Sequence, residues 1–374
     1  VKLWSRSRKL YEEEPHLFNP EVIVDFDKKE LRRIVKSLGA RYPNGGADGW
    51  IKISKLLLEK YDGDPRNITK EAVTLAELKR KLSEFPYLRG NKLSNFYIRA
   101  MGENGLFKIL ATDQRGSLRR MINPDNPKAV TAEELKEVKL ALIKNLVGRG
   151  TNSKATGVLI DPEYSYERSF LTKANIPATV GILMGIEKSG YGSGDEFAPK
   201  MEIFNDLDVE SAVLKIKARG MSAVKLLIYY RTDSPTAKYQ ESMIKAIGKA
   251  CAKYDIAFLV EPVTHSLRGG PHKKKDKKEF AKIKPNLVIN TARELSKPEY
   301  GIDILKMEFP VDLDFAEELH QDPLEYCKAL DEASQLPWVL LSAGVDFDVF
   351  IKQVEIATKA GASGFLAGRA IWKD

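Results

Sequence analysis

Eight short apolar runs, each separated from the next by a stretch of different periodicity, constrain this chain more than any other feature. From Phe107 onward they read FKILATD (107–113), GVLIDPE (157–163), ATVGILM (178–184), AVKLLIYY (223–230), IAFLVEP (256–262), ILKMEFP (304–310), WVLLSAG (338–344) and GFLAGRA (364–370). Near-continuous apolar runs of this length are what strands covered on both faces require. Between most of them lie helical segments. One opens with a capping box, Thr131 to Glu134, ahead of LKEVKLALIKNLVG; others are DVESAVLKIKARG, KYQESMIKAIGKACAKY, PLEYCKALDEAS and DVFIKQVEIATKAG. Eight strands alternating with helices in about 270 residues predict an α/β fold, the (β/α)8 TIM barrel. The sequence reaches Asp374 directly after the eighth run, so the barrel is expected to lack its last helix in this chain. A doubly wound open sheet is the alternative, but no GxGxxG follows the first run. GYGSG (190–194) follows the third without opening a clear helix and is read as a loop.

Upstream the pattern changes near Met101 to Asn104. Residues 1–102 are read as a small helical domain, and residues 103–374 as the barrel. DKKELRRIVKSLG, GWIKISKLLLEKY, TLAELKRKLSEF and KLSNFYIRAM are short helices, with PNGG (43–46) and DGDPRN (62–67) as turns between them. Of the chain's 60 Lys+Arg and 52 Asp+Glu, residues 1–103 carry 21 and 15, so most of the basic excess lies there. FPYLRGNKLSN (85–95) faintly resembles the hairpin of helix-hairpin-helix DNA glycosylases, whose amides and basic residues grip phosphate backbone. On that reading Arg89 and Lys92 are the nucleic-acid candidates; a helical packing or oligomerisation module is the plainer one.

Composition narrows the function classes. Hydrophobic residues are 43% and charged residues 30% of the 374, a globular balance. Two cysteines, Cys251 and Cys327, cannot build a disulfide framework, and His16, His265, His272 and His320 never stand at metal-ligand spacing. No metal and no cofactor are expected. No stretch of about 18 apolar residues and no signal-peptide core occur, so the expected setting is cytoplasmic, without a membrane.

The chemical signal is charge inside the strands. Barrel enzymes carry their chemistry at the C-terminal ends of strands. The first run ends in Asp113, Gln114 and Arg115, the second in Asp161 and Glu163, the fifth in Glu261. Lys225 and Lys306 lie within the fourth and sixth. Side chains alternate along a strand, so Leu305, Met307 and Phe309 face one way while Lys306 and Glu308 face the other. A strand lysine is rarely buried without a partner. Desolvation and a neighbouring cation both lower a lysine pKa and expose an amine nucleophile. Two interior lysines with Glu261 are therefore parts for Schiff-base chemistry, or else structural ion pairs, and spacing does not choose between the lysines. DPEYS, with Asp161 and Glu163, is read first as a turn that caps the next short helix. The loop THSLRGGPHKKKDKKEF (264–280), with its six basic residues, is read as solvated, on a face where it would focus anions.

ILATDQRGSL, LIDPEYS, AVKLLIYYR, FLVEP, KPEYGIDILKMEFPVDL, LLSAGV and GRAIW, in this order over about residues 103–374, resemble the class I tagatose-1,6-bisphosphate aldolases and their sulfofructose-phosphate aldolase relatives. The resemblance implies a metal-independent barrel enzyme that cleaves a ketose bisphosphate into glycerone phosphate and a three-carbon aldehyde, glyceraldehyde 3-phosphate. It implies Lys306 as the Schiff-base lysine, Glu261 as the proton-transfer acid/base and Lys225 as a second active-site lysine. Asp113, Gln114 and Arg115 then bind substrate hydroxyls and phosphate, and Ser342, Gly344, Gly368 and Arg369 form a phosphate site. Thr112 departs from the Leu or Phe the pattern leads us to expect. The expected partners are a phosphorylated sugar, a second copy in a homo-oligomer and, weakly, nucleic acid. The competing functions are a sulfofructose-phosphate aldolase and a nucleic-acid-binding protein acting through the N-terminal module.

Overall fold

The computed structural model describes residues 9–38, 43–65, 67, 81, 84–85, 106–190, 200–203, 208–267 and 274–373. The chain divides into two compact units, Val1–Ser94 and Asn95–Asp374.

The first unit is helical where described: α1 (Pro20–Val24), α2 (Lys28–Ser37) and α3 (Pro43–Tyr61). Asp27 caps α2, its carboxylate accepting from the Glu30 amide at 2.8 Å. Ile23, Leu31, Val35 and Ala47 bury one face, with Phe26, Trp50 and Ile51 packed against it. PNGG is not a turn but the first turn of α3. Proline is tolerated at a helix start, and burial of Ala47 draws the segment into the core. Asp62 and Gly63 of DGDPRN do form a turn, both at positive φ, while Arg66 lies outside the described residues. Of FPYLRGNKLSN only Phe85 is described, so Arg89 and Lys92 lie outside the described residues, as does most of TLAELKRKLSEF and all of KLSNFYIRAM.

In the second unit all eight apolar runs supply a strand. β1 (Phe107–Ala111), β2 (Gly157–Ile160), β3 (Gly181–Gly185), β4 (Ala223–Tyr229), β5 (Ala257–Val263), β6 (Ile304–Met307), β7 (Trp338–Leu341) and β8 (Gly364–Ala367) close into a parallel barrel in chain order. The helices between them are α4 (Gly116–Ile122), α5 (Ala132–Leu146), α6 (Arg168–Ala174), α7 (Val209–Ala218), α8 (Ala237–Lys253), α9 (Lys274–Leu295), α10 (Pro323–Ala333) and α11 (Phe347–Lys359). After β8 comes a single helical turn, α12 (Arg369–Trp372), whose Trp372 indole donates to the Ala111 carbonyl at 3.0 Å. The capping box of α5 is formed: Thr131 N donates to Glu134 Oε2 at 2.7 Å and Glu134 N to Thr131 Oγ1 at 3.2 Å.

One helix differs from expectation. Residues 274–280 open the 22-residue α9 rather than continuing a loop. Its first turns are charged, and Pro285 inside it reads as a breaker. Ala281, Val288, Ala292 and Leu295 nevertheless bury one helical face. Residues 268–273 of that loop and 191–199 of the GYGSG region lie outside the described residues.

Strand alternation sorts the core into two layers. Ile109, Leu159, Leu183, Ala223, Leu259, Ile304, Val339 and Leu366 fill the barrel interior. Val158, Val224, Leu226, Phe258, Val260, Leu305 and Met307 pack outward beneath the helices. Lys225 therefore shares the inner face with Ala223, and Lys306 with Ile304. Register brings the charges together. Leu227 pairs with Glu261, and Leu259 with Ile304; continuing that offset by two residues sets Glu261 beside Lys306, with Lys225 one diagonal away.

Candidate active site

The inner-face charges open into a cavity of about 650 Å³ at the C-terminal ends of the strands. The ten barrel residues that the resemblance implies line it: Asp113, Gln114, Arg115, Lys225, Glu261, Lys306, Ser342, Gly344, Gly368 and Arg369.

At its floor Lys225 is fully buried. Its Nζ stands 2.9 Å from Asp113 Oδ2, 2.9 Å from Glu187 Oε1 and 2.9 Å from Glu261 Oε2. The contact with Glu261 is an ion pair without hydrogen-bond alignment, since that oxygen has no aligned donor. Lys306 Nζ lies 2.8 Å from the other oxygen of Glu261. One carboxylate thus bridges the two lysines. Among the described residues, no set of His, Cys, Asp and Glu side chains is grouped to hold a metal ion; the three carboxylates converge on an ammonium.

Electrostatics corrects one expectation. Burial alone would push Lys225 toward the free amine, but Asp113, Glu187 and Glu261 outweigh it and hold the side chain protonated well above the ordinary lysine range. That direction favours the ammonium form of Lys225 over an amine nucleophile. Burial would likewise raise Asp113, yet Lys225, then Lys306, hold its carboxyl down at about 2. Asp113 is a fixed anion.

Glu187 was not anticipated. It lies just beyond β3 in an isolated bridge to Ile203, and Arg115 Nη2 donates to its carbonyl at 2.9 Å. Its second oxygen is buried without a hydrogen-bond partner. The signal was present in the alternation, because Gly185 and Glu187 share the inward face, but the apolar run stops at Met184.

Asp161 and Glu163 belong to a turn, as the plainer reading had it, but the turn caps no helix: α6 starts at Arg168, and its N-cap Glu167 makes no side-chain bond. Asp161 accepts from Glu163 N at 2.8 Å, Tyr164 N at 2.6 Å and Ser165 Oγ at 2.8 Å, closing a turn. Glu163 stands 4.0 Å from Arg115. Neither lines the cavity. Thr112, the departure in the first run, donates through Oγ1 to Leu159 O at 3.0 Å and so staples β1 to β2.

The opposite side of the cavity is built from the loops after β7 and β8. Gly344 has φ +75°, and a Cβ there would come within 3.0 Å of the Arg369 guanidinium. A Cβ on Gly368 would strike Gln114 Nε2 at 2.5 Å and Ala111 O at 2.9 Å, so only glycine lets this loop approach β1. The Gly368 amide lies 3.5 Å from Ser342 Oγ. Arg369 has no carboxylate at ion-pair distance among the described residues. A hydroxyl, close-packed backbone amides and a guanidinium with no carboxylate beside it among the described residues are groups whose chemistry suits an anion.

Known proteins agree with this architecture. Residues 107–374 match the model of the DeoC/LacD family aldolases. Tagatose 1,6-diphosphate aldolase 1 of Enterococcus faecalis is 35% identical over 283 residues, which cover 73% of this chain and 81% of that protein. The tagatose 1,6-diphosphate aldolase of Streptococcus pneumoniae serotype 4 is 35% identical over 303 residues, 78% of this chain and 86% of the relative. A solved fructose-bisphosphate aldolase from Slackia heliotrinireducens shares the fold at a TM-score of 0.53 and 16% identity, covering 76% of this chain and 81% of that one. A closed barrel with lysines and carboxylates converging at its strand ends, matched over this length, makes the chain an aldolase of the DeoC/LacD family.

Proposed function

We propose that the chain is a Schiff-base aldolase that cleaves a ketose 1,6-bisphosphate of the tagatose type into glycerone phosphate and glyceraldehyde 3-phosphate, with Lys306 as the nucleophile. The observation that carries this reading is the inequality of the two floor lysines. Both line the cavity, but Lys225 is locked among three carboxylates, whereas Lys306 meets one, Glu261. The names of the relatives support the substrate class.

The residues then divide the reaction as follows. Lys306 Nζ, as the free amine, adds to the C2 carbonyl, and its proton passes to the oxygen that becomes the carbinolamine hydroxyl. Glu261, 2.8 Å from that nitrogen, is placed to carry this proton and to protonate the departing hydroxyl as water. The resulting iminium is an electron sink. Glu261, left as the carboxylate by the loss of water, takes the C4 hydroxyl proton as the C3–C4 bond breaks, which releases the aldehyde and leaves the enamine; it then returns that proton to C3. Addition of water to the iminium frees glycerone phosphate and regenerates Lys306. Lys225 holds the charges of Asp113, Glu187 and Glu261 in place. Asp113 and Gln114 accept and donate hydrogen bonds to substrate hydroxyls, and the Ser342–Gly344–Gly368–Arg369 corner takes a phosphate.

Intact-mass analysis after incubation with glycerone phosphate and borohydride, in the presence of EDTA, tests the reading. One irreversible adduct mapping to Lys306 is expected. An adduct at Lys225 would keep the reaction class and overturn the assignment. Folded protein without any adduct would sink the Schiff-base mechanism.

A further inference from the structure

The apolar face of α5 carries Leu135, Lys139 and Ile143 at successive i+4 positions, all at 0% exposure. Leucine and isoleucine belong there. A lysine belongs there only if its ammonium is fully partnered. Lys139 Nζ donates to the carbonyls of Thr112 and Gln114, the second at 2.7 Å, and lies 2.8 Å from Asp161 Oδ2. Asp161 is itself only 1% exposed and anchored to the turn after β2. The two carbonyls belong to the residues on either side of Asp113. The ammonium therefore brackets Asp113 along the backbone, while the carboxylate of Asp113 points to Lys225. An apolar side chain at 139 would leave two carbonyls without this donor and the buried Asp161 carboxylate without its countercharge.

The geometry points to Lys139 as a positioning residue: paired with Asp161, it fixes the peptide units around Asp113 so that Asp113 meets Lys225 while Gln114 and Arg115 reach the cavity. Lys139 does not line that cavity. Its action is through the backbone of the segment that does, and its kinetic readout rests on the aldolase reading above.

Lys139→Met alone strands the Asp161 carboxylate and risks the fold, so the deciding variant is Lys139→Met/Asp161→Asn, which removes both charges together. Turnover is measured per Lys306 trapped by borohydride, alongside hydrogen exchange of peptides covering residues 107–116. The expected result is a lower kcat per trapped site with a raised KM, kcat/KM falling about 100-fold, and faster exchange in 107–116 while β4–β6 stay protected. A pair that merely stabilises the barrel would reduce the trapped fraction and leave kcat per site and KM unchanged. That result, or unchanged exchange at 107–116, overturns the inference. Should the wild-type chain trap nothing at Lys306, the assignment of Lys306 as the Schiff-base lysine fails, and exchange at 107–116 still decides the positioning.

Discussion

Lys225 and Lys139 are both fully buried lysines at the same end of the barrel, and they are built in opposite ways. Lys139 enters from a helix outside the strands and meets one carboxylate and two carbonyls, a closed and neutral set. Lys225 points into the barrel and meets three carboxylates, an unbalanced set bordering the cavity. A balanced buried pair has nothing left to give a ligand. An unbalanced one carries surplus negative charge, and in the mechanism proposed above that surplus beside Lys306 favours the positive iminium over the neutral ketone. The comparison separates the lysine that holds the scaffold from the lysine that sets the electrostatics of the floor.

The largest effect is expected where the comparison ends, at Lys306. Lys306→Met should lower aldol cleavage on the order of 10⁴-fold or more, since no other side chain supplies the electron sink. Coupled aldehyde release would measure it. Residual turnover near the wild-type rate would mean that Lys225 gives up its proton after all, which its three carboxylates oppose.

Next comes Lys225→Met. Removing the cation leaves three carboxylates facing one another in the barrel, and urea denaturation should show a loss of about 3–5 kcal/mol. The same comparison has a pH signature. Asp113, held at about 2 against an ordinary 3.8, contributes stability that is complete above pH 3.8 and is lost as pH falls through 2. Lys225, held above 10.5, contributes stability that is complete below 10.5 and is lost only as pH rises past its folded value. In Lys225→Met the carboxyl of Asp113 rises toward or past its ordinary value, so the acid-side loss between 3.8 and 2 should shrink. Urea midpoints on both proteins across that range would show it; identical slopes would mean that the pairing of Asp113 with Lys225 is not what lowers it.

How much of this could be read from the chain alone follows the range of the interactions. The eight strands were legible because burial on both faces leaves apolar runs, and alternation alone put Lys306 opposite to Leu305 and Met307. The capping box of α5 was legible because its partners are three residues apart. The protonation of Lys225 was not, because Asp113 and Glu187 come from other strands, 112 and 38 residues away. Glu187 sits past the end of its apolar run. Lys139 hides as one charge in a helix rich in charges, although its i+4 spacing with Leu135 and Ile143 marks it in retrospect. α9 was obscured by Pro285 and a basic first turn, while its buried face begins only at Ala281. For Arg89 and Lys92 the reading stays with the sequence.

The smallest predicted effect concerns the corner around Arg369, which has no carboxylate at ion-pair distance among the described residues. Gly344→Ala has two consequences. Alanine at φ +75° costs on the order of 1 kcal/mol of stability. Its Cβ would also press within 3.0 Å of the Arg369 guanidinium, the free end of a flexible side chain that yields by swinging away. The floor residues are untouched by that motion. KM for a phosphorylated ketose should therefore rise about tenfold with kcat changed little, because the lost interaction is made equally in ground and transition states. Inorganic phosphate, as a competitive inhibitor, should weaken by a similar factor. An unchanged KM and inhibition constant in a folded variant would remove Arg369 from the phosphate site and leave the corner as tight packing between the loops after β7 and β8.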